Sequence, residues 1–253
     1  VKKVIKFTFI IGVIFVVASL ITVFFSRRVW VLTTDIALIF MGVVTAIMGL
    51  LFWHSKDTPT SHHLPWIGIG AGMLLFSIGT LFRINMAGSQ GASTKIFATT
   101  DYFIIAAYAF LTAGYYFFMS RAGNIIDEMD KLKIIWGAGI FLILVFDLYI
   151  AIKATEIFGK TTAGLLVNIY YVSLDLIMVL IGITYFFAFY DGKISRFFKL
   201  VFAGIFIWAI SDIVFVLRGS YTESVSFILV WFKIISVYML VFAQKIYAEL
   251  FTA

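Results

Sequence analysis

Apolar runs of about twenty residues, separated by short polar turns, recur along the whole chain. A helix rising 1.5 Å per residue needs about 20 residues to cross about 30 Å of hydrocarbon. Eight stretches meet that length, at approximately 4–25, 29–53, 65–86, 96–119, 134–158, 161–190, 197–218 and 224–247. The pattern predicts an all-α, polytopic integral membrane protein with eight transmembrane helices, forming a single transmembrane domain over 1–253. The sixth stretch is overlong, so it is expected either to begin outside the bilayer or to lie tilted. After the fourth stretch, the segment RAGNIIDEMDKLK mixes both signs of charge. It is predicted to form a short amphipathic interfacial helix and to mark the boundary between two four-helix halves, 1–120 and 134–253. The start, VKKVIKFTFIIGVIFVVASLITVFFSRR, has the basic residues and apolar run of a signal peptide. Its run is too long for one, shows no small-x-small cleavage site and ends on Arg27 and Arg28, which predicts a retained first helix.

Composition agrees with that pattern: 63% of residues are hydrophobic, 19% aromatic and 13% charged, far from a soluble domain. The absence of cysteine excludes disulfides, thiolate metal sites and cysteine nucleophiles. A net charge of +6 raises the question of nucleic acid, but the basic residues cluster in the turns, where membrane topology accounts for them. With the N-terminus inside, eleven Lys and Arg fall on the inner side and seven on the outer. That bias predicts a cell-membrane protein with both termini cytoplasmic.

The charges left inside the apolar runs carry the candidate chemistry. Asp35, Asp101 and Asp212 lie about two turns below the outer ends of their segments, while Asp147, Asp175 and Lys233 lie deeper. Arg83, Lys153 and Arg218 decorate the outer mouth, and the inner halves offer only weaker polar residues such as Thr112, Thr184 and Ser236. A charge at the centre of a membrane helix costs about 2.5–3.5 kcal/mol on insertion scales, so such groups pair or line a hydrated cavity. Asp212 and Lys233, on either side of a short polar turn, predict either a structural ion pair or the heart of a ligand site. The candidate cluster is Asp101, Asp147, Asp175, Asp212 and Lys233, with Tyr171 and Trp231 around it and Arg83 and Arg218 guarding its mouth. TTDYFII, SLDLIMV and ISDIVFV echo one another and hint at internal duplication.

A lysine in the last apolar helix also resembles the Schiff-base lysine of retinal proteins, which needs a counter-ion and an aromatic pocket. Trp208, Trp231, Phe232, Tyr238, Tyr170 and Tyr171 supply aromatics, but Leu229 stands four residues before Lys233 where microbial rhodopsins have an aspartate, and the helix count is eight, not seven. Gly68, Gly70 and Gly72 are expected to allow close helix packing, not to form a phosphate loop. His54, His62 and His63 share the polar segment HSKDTPTSHHLP with Asp57, which predicts a solvated turn and no metal centre. No Ser-x-x-Lys, nucleophile elbow, His-Glu-x-x-His or Walker motif is present, so no catalytic residue, cofactor or metal is assigned.

GTLFRINM, TTDYFIIAAYAFLTAGYY, IYYVSLDLIMVLIG and ISDIVFVLRGSYTESVSFILVWFKIISVYMLVFAQ occur in that order. In this the chain resembles, over roughly 66–247, the N-terminal multi-helix membrane sensor regions of bacterial and archaeal diguanylate cyclases and histidine kinases. The resemblance implies that Asp101, Asp175, Asp212 and Trp231 match that family's membrane positions. Two departures stand out: the chain ends at Ala253 without an output domain, and Lys233 occupies a place expected to be small or apolar. The leading expectation is a non-enzymatic sensory or regulatory module with an outward-facing polar cavity, set in the lipid bilayer. It would relay to a separate cytoplasmic or membrane signalling partner through the RAGNIIDEMDKLK loop or the QKIYAELFTA tail. A small-solute or proton-coupled transporter, and a membrane anchor subunit of a larger complex, are the alternatives.

Overall fold

The computed structural model describes residues 27–56, 58–88, 99–120, 130–157, 162–189, 194–218 and 223–251, together with scattered positions between 6 and 21. Within it lie seven helices: α1 (Arg27–His54), α2 (His63–Gly88), α3 (Thr99–Ser120), α4 (Asp130–Ile157), α5 (Thr162–Ala188), α6 (Ser195–Arg218) and α7 (Glu223–Phe251). All seven are long and apolar enough to span a membrane, so the chain is a polytopic membrane protein of all-α class. The count among the described residues is seven, not the expected eight. The first predicted stretch, 4–25, lies largely outside the described residues, and its described positions, Ile10, Ile14 and Val17 among them, are helical with exposed apolar side chains.

Neighbouring helices close a ring. α1 packs on α2, α2 on α3, α3 on α5, α5 on α6, α6 on α7, and α7 returns to α1. α4 stands outside this ring, against α5. Only 11% of its span is buried, against 39–61% for the other six, and Phe141, Leu142, Leu144 and Leu148 point outward. One contiguous core, from Leu38 of α1 to Tyr247 of α7, fills the ring and draws on both predicted four-helix groups.

Small residues set the closest approaches. Gly68 and Gly72, one turn apart, face α3: a Cβ on Gly68 would meet the Gly114 Cα at 2.7 Å, and one on Gly72 would meet the Ala107 carbonyl at 2.9 Å. Gly70, on the other side of α2, faces Ala46 and Gly49 of α1. The Gly-rich run of α2 is thus a two-sided packing surface, as expected for membrane helices whose contacts rest on close backbone approach. On the α6–α7 seam, Ser211 Oγ donates to the Leu229 carbonyl at 3.1 Å and Ser236 Oγ to the Gly204 carbonyl at 2.6 Å. The bonded positions, Gly204 and Ser211 on α6 and Leu229 and Ser236 on α7, are equally spaced on the two helices, so the antiparallel register is constant and Arg196 lies level with Gln244.

Two local expectations change. The DKLK end of the predicted interfacial helix forms the first turn of α4, with Lys133 paired to Asp130 at 3.3 Å, while 121–129 lie outside the described residues. The histidine segment is not simply a solvated turn. Thr60–His62 forms a 3₁₀ turn after Pro59, and half-buried His62 reaches the Tyr247 hydroxyl through Nδ1 at 2.7 Å, with its ring near Phe118 and Phe251. The polar neighbours of His62 hid a tertiary partner 185 residues away.

Candidate functional site

Four helices bring one polar cluster together inside the ring. On α6, Trp208 and Asp212 are four residues apart and share a face; on α5, Tyr171 and Asp175 do the same. α3 contributes Tyr108, seven residues or two turns from Asp101, and α7 contributes Lys233. These positions sit deep: Asp212 lies six residues, about 9 Å, from the end of α6, and Lys233 ten residues, about 15 Å, from the start of α7.

Asp212 is the hub. Lys233 Nζ lies 2.6 Å from Asp212 Oδ1. The Tyr108 hydroxyl donates to Asp212 Oδ2, and the Trp208 indole N–H donates to the Tyr108 oxygen at 2.6 Å. Lys233 also stands over the Trp208 ring, 5.4 Å from its centroid, within reach of a cation–π attraction. Each oxygen of the Asp212 carboxylate therefore has a partner, and the ammonium is held by a charge and a ring. Charge-assisted bonds of this kind are roughly twice as strong as neutral ones.

Asp175 is the exception. It is fully buried, and among the described residues neither carboxyl oxygen makes a hydrogen bond of good geometry. Its carboxyl lies within electrostatic reach of Asp212, Lys233 and Tyr108. The Tyr171 hydroxyl, buried and making no hydrogen bond among the described residues, interacts electrostatically with Asp101 and Asp212, and its ring lies 5.1 Å from that of Tyr108. The cluster holds two deep carboxyls against one ammonium, a mismatch that a low-dielectric interior penalises.

Of the residues predicted from sequence, Asp175, Asp212, Lys233 and Tyr171 meet here, with half-buried Asp101 at the edge. Asp147 stands apart, because α4 is outside the ring: it accepts a hydrogen bond from Ser173 Oγ at 2.9 Å beside the small Ile150–Val172 core. Trp231 is half-buried two residues before Lys233, about 200° around α7, which turns it away from the lysine. Arg83 and Arg218 belong to α2 and to the last residue of α6, and their side chains lie outside the described residues. Sequence reasoning missed Tyr108, whose carboxylate partner lies 104 residues away on α6.

Below the cluster the ring is tightly filled. A cavity of about 20 Å³ touches Trp208, Ser236 and Tyr115, and one of about 10 Å³ touches Tyr115, Trp66 and Gln244. Either is far below the roughly 300 Å³ of a small cofactor pocket. Further down, Trp66 packs against Phe52 at 4.6 Å, Tyr247 at 4.9 Å and Phe118 at 5.5 Å, closing the far end with aromatic rings. Among the described residues no group of three His, Asp or Glu side chains is placed to hold a metal. Comparison with protein families, with curated proteins and with solved structures finds no match to this chain.

Proposed function

We propose that this chain is a non-enzymatic sensory module of the membrane, in which Asp175, buried beside the Asp212–Lys233 pair, gains and loses a proton. The observation that carries the reading is Asp175, a fully buried carboxyl that among the described residues makes no hydrogen bond of good geometry, beside a carboxylate whose two oxygens are already engaged. A proton on Asp175 removes the charge mismatch and gives Asp175 a hydrogen to donate. The charged and titratable groups within electrostatic reach of Asp175 are Asp212 on α6, Lys233 on α7 and Tyr108 on α3; Tyr171, one turn before it on α5, interacts in turn with Asp212 and Asp101. Loss of the proton changes the packing preference of four helices at once, the differential interaction a two-state module requires. α7 is the natural relay: Tyr247 lies fourteen residues, about 21 Å, beyond Lys233 on one continuous helix and ends in the contact with His62. In the proposed orientation the cluster occupies the outer half and a separate partner reads the other end. The resemblance to membrane sensor regions of cyclases and kinases agrees with that arrangement.

The tight filling below the cluster, closed at its far end by aromatic rings, favours this reading over a transporter, which needs an open polar path to both sides. The test is infrared difference spectroscopy of protein in lipid vesicles, stepped between acid and alkaline medium. A protonated-carboxyl band that disappears at high pH, and is missing from Asp175→Asn, is the expected result. A spectrum with no band dependent on Asp175 overturns the proposal. Sustained proton flux into vesicles carrying an entrapped pH dye would assign the same cluster to transport.

A further inference from the structure

A second site lies on the membrane-facing seam of α6 and α7, and it stands independently of the sensory reading. A groove of about 220 Å³ runs along it, lined by Leu200 of α6 and by Ile234, Ile235, Tyr238, Met239 and Phe242 of α7. The α7 residues form one face repeating at four residues, and the whole groove lies inside the membrane-competent spans Ser195–Val214 and Trp231–Phe251. An apolar channel there fits an acyl chain.

Two basic side chains lie at one end of it. Arg196 is exposed and one turn before Leu200, on the same face of α6; Lys245 is three residues after Phe242, on the same face of α7. The seam register places Arg196 level with Gln244, so both cations stand at one height, about one turn beyond the bottom of the groove. Lys245 Nζ lies 5.6 Å from the Phe242 ring centroid, tying the cation to the groove wall. Its pairing with exposed Glu249, at 3.6 Å, is an i,i+4 surface contact of the kind that contributes little and yields to a stronger anion. We propose that this seam is a binding site for an anionic phospholipid, its acyl chain in the groove and its phosphate between Arg196 and Lys245.

Native mass spectrometry of delipidated full-length protein, titrated in parallel with phosphatidylglycerol and phosphatidylcholine of equal chain length, tests it. Wild-type protein is expected to retain phosphatidylglycerol preferentially. Arg196→Gln and Lys245→Gln should each lower that preference by roughly fivefold, as expected for one basic residue at an anionic headgroup. Arg196→Lys should keep it, which separates loss of charge from misfolding, and Ile235→Trp, which fills the groove, should weaken both lipids. Equal retention of the two lipids by wild-type protein, a preference untouched by the glutamine variants, or dimerisation through this seam in place of lipid binding would each overturn the assignment.

Discussion

At the scale of single residues, the stability of the cluster hangs on Asp212, whose two carboxylate oxygens engage Lys233 and Tyr108. Removing one member of a buried pair strands the other. Asp212→Asn and Lys233→Met should therefore each destabilise the protein by about 3 kcal/mol, the low edge for buried pairs, because the Lys233 side chain keeps 27% of its area exposed. The double variant should lose clearly less than the two single losses combined, read from thermal unfolding in detergent; strict additivity would show that the pair is not coupled. Tyr108→Phe deletes one charge-assisted bond and leaves the Trp208 N–H without its acceptor, an expected loss of about 1.5–3 kcal/mol in the same assay. The deep charges were legible in the sequence, because an ionisable residue inside an apolar run has few ways to survive. Tyr108 was not, because it is one of twelve tyrosines and nothing local marks the one that meets a carboxylate. His62 was obscured for the opposite reason: its polar neighbours resemble solvent-exposed sequence, while its partner comes from the far end of the chain.

At the scale of the element, α2 and α4 are opposite cases of glycine in a membrane helix. Gly68→Ala brings a methyl against the Gly114 backbone at 2.7 Å, where no side chain can rotate away, so α2 and α3 must separate. Overpacking of this kind should cost about 1–3 kcal/mol. Gly137→Ala on α4 meets nothing within 4 Å and should be neutral or stabilising by up to about 1 kcal/mol, through helix propensity alone. Parallel unfolding of the two variants checks the contrast, and equal effects would mean that the α2–α3 approach is looser than described. The Gly-x-x-x-Gly spacing announced such a surface. Which neighbour each glycine meets, Gly68 facing α3 and Gly70 facing α1, followed only from the assembled ring.

At the scale of the whole molecule, the ring places the ends of α1, α3, α5 and α7 and the starts of α2, α4 and α6 on one face of the membrane, opposite the face nearest the cluster. The chain contains no cysteine, so single introduced thiols report without background. Cysteines replacing Lys56 and Glu249 should react with an impermeant reagent from the same side, and cysteines replacing Thr99 and Glu223 from the other. The proposed orientation puts the first pair in the cytoplasm, and labelling of Lys56→Cys and Glu249→Cys from outside intact cells would reverse it.

The sequence by itself determined the class and the seven described spans, because the thickness of hydrocarbon acts along one dimension and a linear chain can be measured against it. The order of the ring, the exclusion of α4 and with it Asp147, and the meeting of Asp175 with Asp212 and Lys233 were decided only in the tertiary structure. Lipid tails are as apolar as leucine, so a membrane helix carries little pattern to say which face meets lipid and which meets protein. That choice falls to small residues, hydrogen bonds and charges drawn from distant parts of the chain.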